Sequence, residues 1–164
     1  MARKKKGDKF YMYSTEIEVD NTAAAINKKL RAVGATHILT EYDPKTNEAV
    51  GIYFMMPVEG KRLSFSIPIR WEQVQAAMKE SGLSGKYTKE EQAKRTAWRV
   101  AYRWVEAQVA LIQCGNAETA EVFMSYAVVD TAGTTLYQSL RQEGFMQIEE
   151  PKGFKQIEAP KKRR

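Results

Sequence analysis

From Thr88 to Gly115 the sequence TKEEQAKRTAWRVAYRWVEAQVALIQCG keeps one helical period without a break, and this segment decides what the rest of the chain must provide. Trp98, Ala101, Val105, Val109 and Ile112 group on one arc, which Ala97 and Trp104 extend. Arg95, Arg99 and Arg103 recur at every fourth residue and fall within about 80° of one another on the other side. A helix this amphipathic needs an apolar surface to lie on, so its tryptophans are expected in the core. Thr88 and Glu91 have the spacing of a capping box, and Gly115 supplies the stop. The arginine row has two readings. It is either the solvated back of a core helix, supported by ion pairs with Glu91 and Glu106, or a stripe that tracks phosphates.

The apolar surface is expected from strands upstream. FYMYSTEIEV, residues 10–19, alternates, with Tyr11, Tyr13, Thr15, Ile17 and Val19 on one face and Glu16 and Glu18 on the other. That pattern predicts a first strand. DNTAAAINKKLRAVG predicts a helix with Asp20, Asn21 or Thr22 as its cap, Ala23, Ile26, Leu30 and Val33 as its apolar row, and Gly34 as its end. THILTEY, AVGIYFMMP and RLSFSIPI read as three further strands, the last two joined by the tight VEGK. Leu63, Phe65, Ile67 and Ile69 point one way from the last strand, and Pro68 marks an edge strand or a strand end. WEQVQAAMKESG reads as a short helix. Beyond Gly115, Asn116 is the expected cap of a helix over AETAEVFMSYAV, DTAG is a turn, and Thr134 caps a last short helix ending before Gly144. The expected fold is α+β: a four-stranded, mostly antiparallel sheet in the order β-α-β-β-β, followed by a helical C-terminal half.

Charge divides the chain in three. Residues 1–10 carry a net +4, residues 151–164 a net +5, and residues 11–150 a net −3. A slightly acidic domain over 10–150 is therefore expected between basic tails at 1–9 and 151–164. Arg3, Lys4, Lys5 and Lys6 at one end, and Lys161, Lys162, Arg163 and Arg164 at the other, suit sequence-independent contact with nucleic acid through counterion release. Arg95, Arg99 and Arg103 are candidates for the same role. Short basic runs also serve as solubilising ends or localisation signals. Tyr11, Tyr13, Tyr42, Tyr53 and Phe54 offer rings for base stacking if the sheet leaves them exposed, though most are expected in the core.

Catalytic chemistry has little material. His37 is the single histidine and Cys114 the single cysteine, so neither a disulfide nor a cysteine metal cage is available within the chain. No run has the spacing of a glycine-rich phosphate loop. Glu16, Glu18 and Asp20, with Glu41, Asp43 and Glu48, are the carboxylates from which a magnesium site would have to come, the distant alternative of a metal-dependent nuclease. The expectation is a protein that is not an enzyme and has no cofactor. No apolar run approaches a membrane span, and the basic start lacks the apolar stretch of a secretory signal, so a cytoplasmic setting is expected.

The segments TAWR, WVEAQVALI and EVFMSY, within residues 14–140, resemble a family of small proteins encoded by bacteriophages and other mobile elements. The resemblance implies a mobile-element origin and the cytoplasm of a host. It brings no catalytic residue with it. The expected function is thus a non-enzymatic nucleic-acid-binding accessory protein, with DNA placed ahead of RNA, acting in phage DNA replication or recombination. The alternative is a module that binds a phage or host protein, as an inhibitor or assembly factor.

Overall fold

A computed structural model describes residues 10–145. The elements are α1 (Val19–Ala32), β1 (His37–Tyr42), β2 (Ala49–Val58), β3 (Lys61–Pro68), α2 (Trp71–Glu80), α3 (Glu90–Gln113), α4 (Thr119–Phe123) and α5 (Leu136–Gln142), with 3-10 turns at Gly85–Thr88 and Met124–Tyr126. The strands form an antiparallel sheet in the order β1-β2-β3. Its two-residue β2–β3 turn places Glu59 and Gly60 at φ of 47° and 77°. Positive φ at both positions is the type I′ geometry that matches the twist of adjoining strands.

Alternation sorts the sheet into two faces. Ile52, Phe54, Met56, Phe65 and Ile67 are buried on one face, while their neighbours Tyr53, Met55, Ser64 and Ser66 are half-exposed on the other. The buried side packs with Ile26 and Leu30 of α1 and with Trp98, Val105 and Val109 of α3. Phe54 and Phe65 stack at 5.1 Å, and Phe123 of α4 meets Phe54 edge-on at 5.4 Å. The Trp98 indole N–H donates to the Ala49 carbonyl at 3.3 Å, which ties the middle of α3 to the start of β2. α1 and α2 both flank α3. The long helix is thus the spine of the domain, and its tryptophan side is spent on packing.

The four-stranded expectation fails at its first member. Residues 10–18 form no strand. Tyr11–Ser14 is a turn, with Met12 at a φ of 61°, and α1 begins at Val19. The alternating residues do not bury as a set, since Tyr11 and Ile17 are 59% and 41% exposed. Helix side chains replace a sheet partner: Gln92 Nε2 donates to the carbonyls of Tyr13 and Thr15, both at 2.9 Å, and the Thr96 hydroxyl donates to that of Met12 at 3.3 Å. The free edge of β3 is taken elsewhere. Phe65 bridges to Ala127, and Val128 N–H donates to the Ser64 carbonyl. The observed sheet therefore has three strands and follows α1.

Helix starts also shift by a few residues. Glu18, rather than Asp20, Asn21 or Thr22, precedes α1, and Thr22 is fully buried. Lys89 precedes α3 while the Thr88 hydroxyl donates to the Gly85 carbonyl, so the Thr88–Glu91 box does not form. Glu118 and Glu121 box the start of α4 in place of Asn116, and Thr135 and Gln138 box α5 in place of Thr134. Pro68 closes β3 opposite Gly51, at a strand end on the sheet's outer side, where its missing N–H is tolerated.

Candidate functional site

Each arginine of the row meets a different partner. Arg95 Nη2 lies 2.8 Å from Glu18 Oε1, which the turn at residues 11–14 brings over α3. Arg99 stacks on the Tyr102 ring at 4.4 Å, a cation–π contact. Arg103 Nη1 donates to Glu106 Oε2 at 2.8 Å. Arg95 and Arg99 each bury an Nε without a hydrogen-bond partner among the described residues. The row therefore serves as a seam. It fastens the N-terminal segment and the helix's own surface, and it leaves Arg103 the most solvent-facing of the three.

Glu106 is the hub beside that seam. It accepts from the Tyr102 hydroxyl at 2.8 Å and pairs with Lys29 of α1 at 3.0 Å as well as with Arg103. These hydrogen bonds, from Tyr102, Lys29 and Arg103, hold its carboxyl at about 2, below the ordinary value of 4.5. The same bond from Tyr102, with burial, pushes the phenol up. Because the folded carboxyl titrates below its unfolded value, the clamp between α1 and α3 contributes fully above pH 4.5 and is lost as pH falls towards 2. Glu106→Gln should flatten that part of the stability profile, so that urea midpoints of wild type fall more steeply over this range than those of the variant.

On the opposite flank Lys94 is nearly enclosed. It bonds Glu48 of the β1–β2 loop and Glu90 of its own helix, and its ammonium lies 4.7 Å above the Trp71 ring. Burial presses the ammonium pKa down, but the two carboxylates outweigh it and the value rises above the ordinary one.

Two hollows open beside α3. One is polar, about 270 Å³, and brings Arg95 together with Lys86, Lys89 and Tyr87, with Glu16 and Glu91 in the same lining. Tyr87 also meets Tyr13 edge-on at 5.0 Å and Lys86 at 5.1 Å. The other is an apolar cleft of about 620 Å³ between the end of β3, α2, α3 and residues 125–138. Trp104 lines it and holds Tyr126 edge-on at 5.2 Å.

Arg3, Lys4, Lys5, Lys6, Lys161, Lys162, Arg163 and Arg164 lie outside the described residues. Of the stacking candidates, Phe54 is in the core, Tyr11 and Tyr42 are exposed, and Tyr13 and Tyr53 are half-buried. These rings do not form one surface: Tyr53 and Phe54 point to opposite faces of the sheet. His37 is exposed on β1, with its Nδ1 3.1 Å from the Thr36 hydroxyl. The carboxylates named for magnesium are dispersed. Glu18 serves Arg95, Glu48 serves Lys94, and Asp43 accepts from the Lys45 and Thr46 amides of its own loop. Among the described residues no cluster of three or more His, Cys, Asp and Glu is placed to hold a metal ion, and no helix is long and apolar enough to cross a membrane.

Sequence reasoning missed both hollows. The signal for the cleft was Ala97 and Ala101, one turn apart on α3, with Ala77 on α2, small side chains where a packed helix pair would carry larger ones. The signal for the polar hollow was Lys86, Tyr87 and Lys89 just before the helix. No protein-family model, curated protein or solved structure matches the chain.

Proposed function

We propose that the protein is a non-enzymatic accessory protein that binds nucleic acid, DNA ahead of RNA, through its two basic ends. The observation that carries this reading is the separation of charge. Eleven of the 26 lysines and arginines lie in residues 1–9 and 151–164, against two acidic residues, Asp8 and Glu158. The body between them is net acidic over residues 11–150, and its arginine row is engaged internally, Arg95 with Glu18, Arg99 with the Tyr102 ring and Arg103 with Glu106. Ends of this kind provide affinity without reading sequence, because they release counterions from the phosphate backbone. The setting proposed with it is the cytoplasm of a host, with a role in the replication or recombination of mobile-element DNA.

The arginine row separates this reading from its rival. Changing Arg95, Arg99 and Arg103 together to glutamine should leave affinity for a labelled duplex within about twofold of wild type, because exposed and half-exposed pairs contribute roughly 0–1 kcal/mol to stability and the fold persists. A uniform loss of binding across sequences, in a variant that remains folded, would assign phosphate contact to the row instead of the ends.

A further inference from the structure

The apolar cleft is lined mainly by hydrocarbon and aromatic side chains, and this chemistry suits a ligand of another kind than nucleic acid. Its volume of about 620 Å³ lies within the roughly 300–1,000 Å³ typical of small-molecule pockets. The space exists because α2 and α3 face it with Ala77, Ala97 and Ala101, side chains too short to fill the gap, while Trp104 forms an aromatic wall. Arg70, at the N-terminal boundary of α2, is the one charged residue of the lining among the described residues. Arg70 is exposed, and unlike those of Arg95 and Arg103 its side chain has no ion pair or hydrogen bond among the described residues.

We propose that this cleft binds a small amphiphilic carboxylate, its hydrocarbon or aromatic part against Ala97, Ala101 and Trp104 and its carboxylate paired with Arg70. The apolar part gains by leaving water, in proportion to the area it buries. The acid gains a charge-assisted, bidentate contact with a guanidinium already positioned at the rim. A cationic amphiphile finds no carboxylate among the described lining residues to meet it. An extended peptide is also poorly served. The strand end at the cleft is Pro68, which has no N–H to offer a partner strand, so main-chain pairing of the kind that captures peptides at sheet edges lacks its donor.

The test uses the full chain, 8-anilinonaphthalene-1-sulfonate as a fluorescent reporter, and decanoate, decan-1-ol and decylamine as competitors. Decanoate should displace the reporter from a single saturable site, ahead of the alcohol and the amine. Arg70→Gln, a change at an exposed side chain, should weaken decanoate by about tenfold or more while shifting decanol by no more than about twofold, since the lost contact is a charge-assisted one. Filling the hollow by Ala101→Phe should abolish competition by both, and Ala77→Phe repeats the test from α2 if the first variant does not fold. Failure of decanoate to displace the reporter, decylamine competing as well as decanoate, or an Arg70→Gln protein that keeps full affinity for decanoate would each overturn the proposal. None of these outcomes depends on the basic ends, so the nucleic-acid reading stands or falls separately.

Discussion

Phe65→Ala should destabilise the domain by about 3–5 kcal/mol, the range expected when a fully buried aromatic ring is truncated in a core. The ring is 0% exposed. It stacks on Phe54 at 5.1 Å and approaches Phe123 at 6.2 Å, so its removal opens a void among strands, α4 and the tryptophan side of α3 together. The partners are themselves held by backbone, Phe54 by the β2 ladder and Phe123 at the end of a helix, and collapse into the void is correspondingly limited. Set against a total stability of about 5–15 kcal/mol for domains of this kind, the loss is a large fraction of the whole. Chemical denaturation should show a lower midpoint with little change in slope. A midpoint equal to that of wild type would mean that this face of the sheet is not the packed one.

Removing residues 1–9 and 151–164 should produce the largest change in binding. The packed core lies within residues 19–127, so the shortened chain retains its described contacts and should melt close to wild type. If the eleven cations at the ends engage six to ten phosphates, the full chain's log affinity should fall with log salt at a slope of about −5 to −9 on duplex DNA. The shortened chain should lose most of that slope and most of its affinity at low salt. Measured by fluorescence anisotropy on one labelled duplex over a salt series, a slope unchanged by the deletion would place the phosphate contacts in the body. A full chain that binds no oligonucleotide at low salt would remove the proposed function altogether.

The parts of the fold legible in the sequence were those in which local pattern and tertiary need agree. The period of α3, the apolar row of α1 and the β2–β3 hairpin each have one favourable burial, and each stands where its pattern placed it. Residues 10–19 show the limit. Their alternation fits a strand, yet a strand also requires a free sheet edge, and the sequence does not say which edges are free. The β3 edge is met by Ala127 and Val128, a pairing made across more than sixty residues, while Gln92 and Thr96 provide for the backbone of the N-terminal segment. Helix caps failed for a related reason. Thr88, Asn116 and Thr134 are good caps, but Glu118 and Thr135 are nearby competitors whose reciprocal bonds to Glu121 and Gln138 win. The arginine row was visible as a row, whereas its use as a seam depended on Glu18, which only the turn at residues 11–14 brings across.

The segment that walls the apolar cleft has a thin attachment to the rest of the molecule. From Ala127 to Leu136 it is tied by the Val128 amide to Ser64, by the Leu136 amide to Ala127 and by the Val129 amide to Thr134, the last two being bonds within the segment itself. α5 adds no fully buried residue. Opening such a unit ruptures few contacts with the spine, so it belongs to the class of sub-global fluctuations that occur far more often than complete unfolding. The sheet, α1 and α3 keep their amides shielded during such an event, whereas α5 and the segment before it trade protons with solvent. A ligand resting against Tyr137 and Gln138 would hold that wall in place, and its residence would be felt first as slowed deuterium uptake at Leu136, Tyr137 and Gln138.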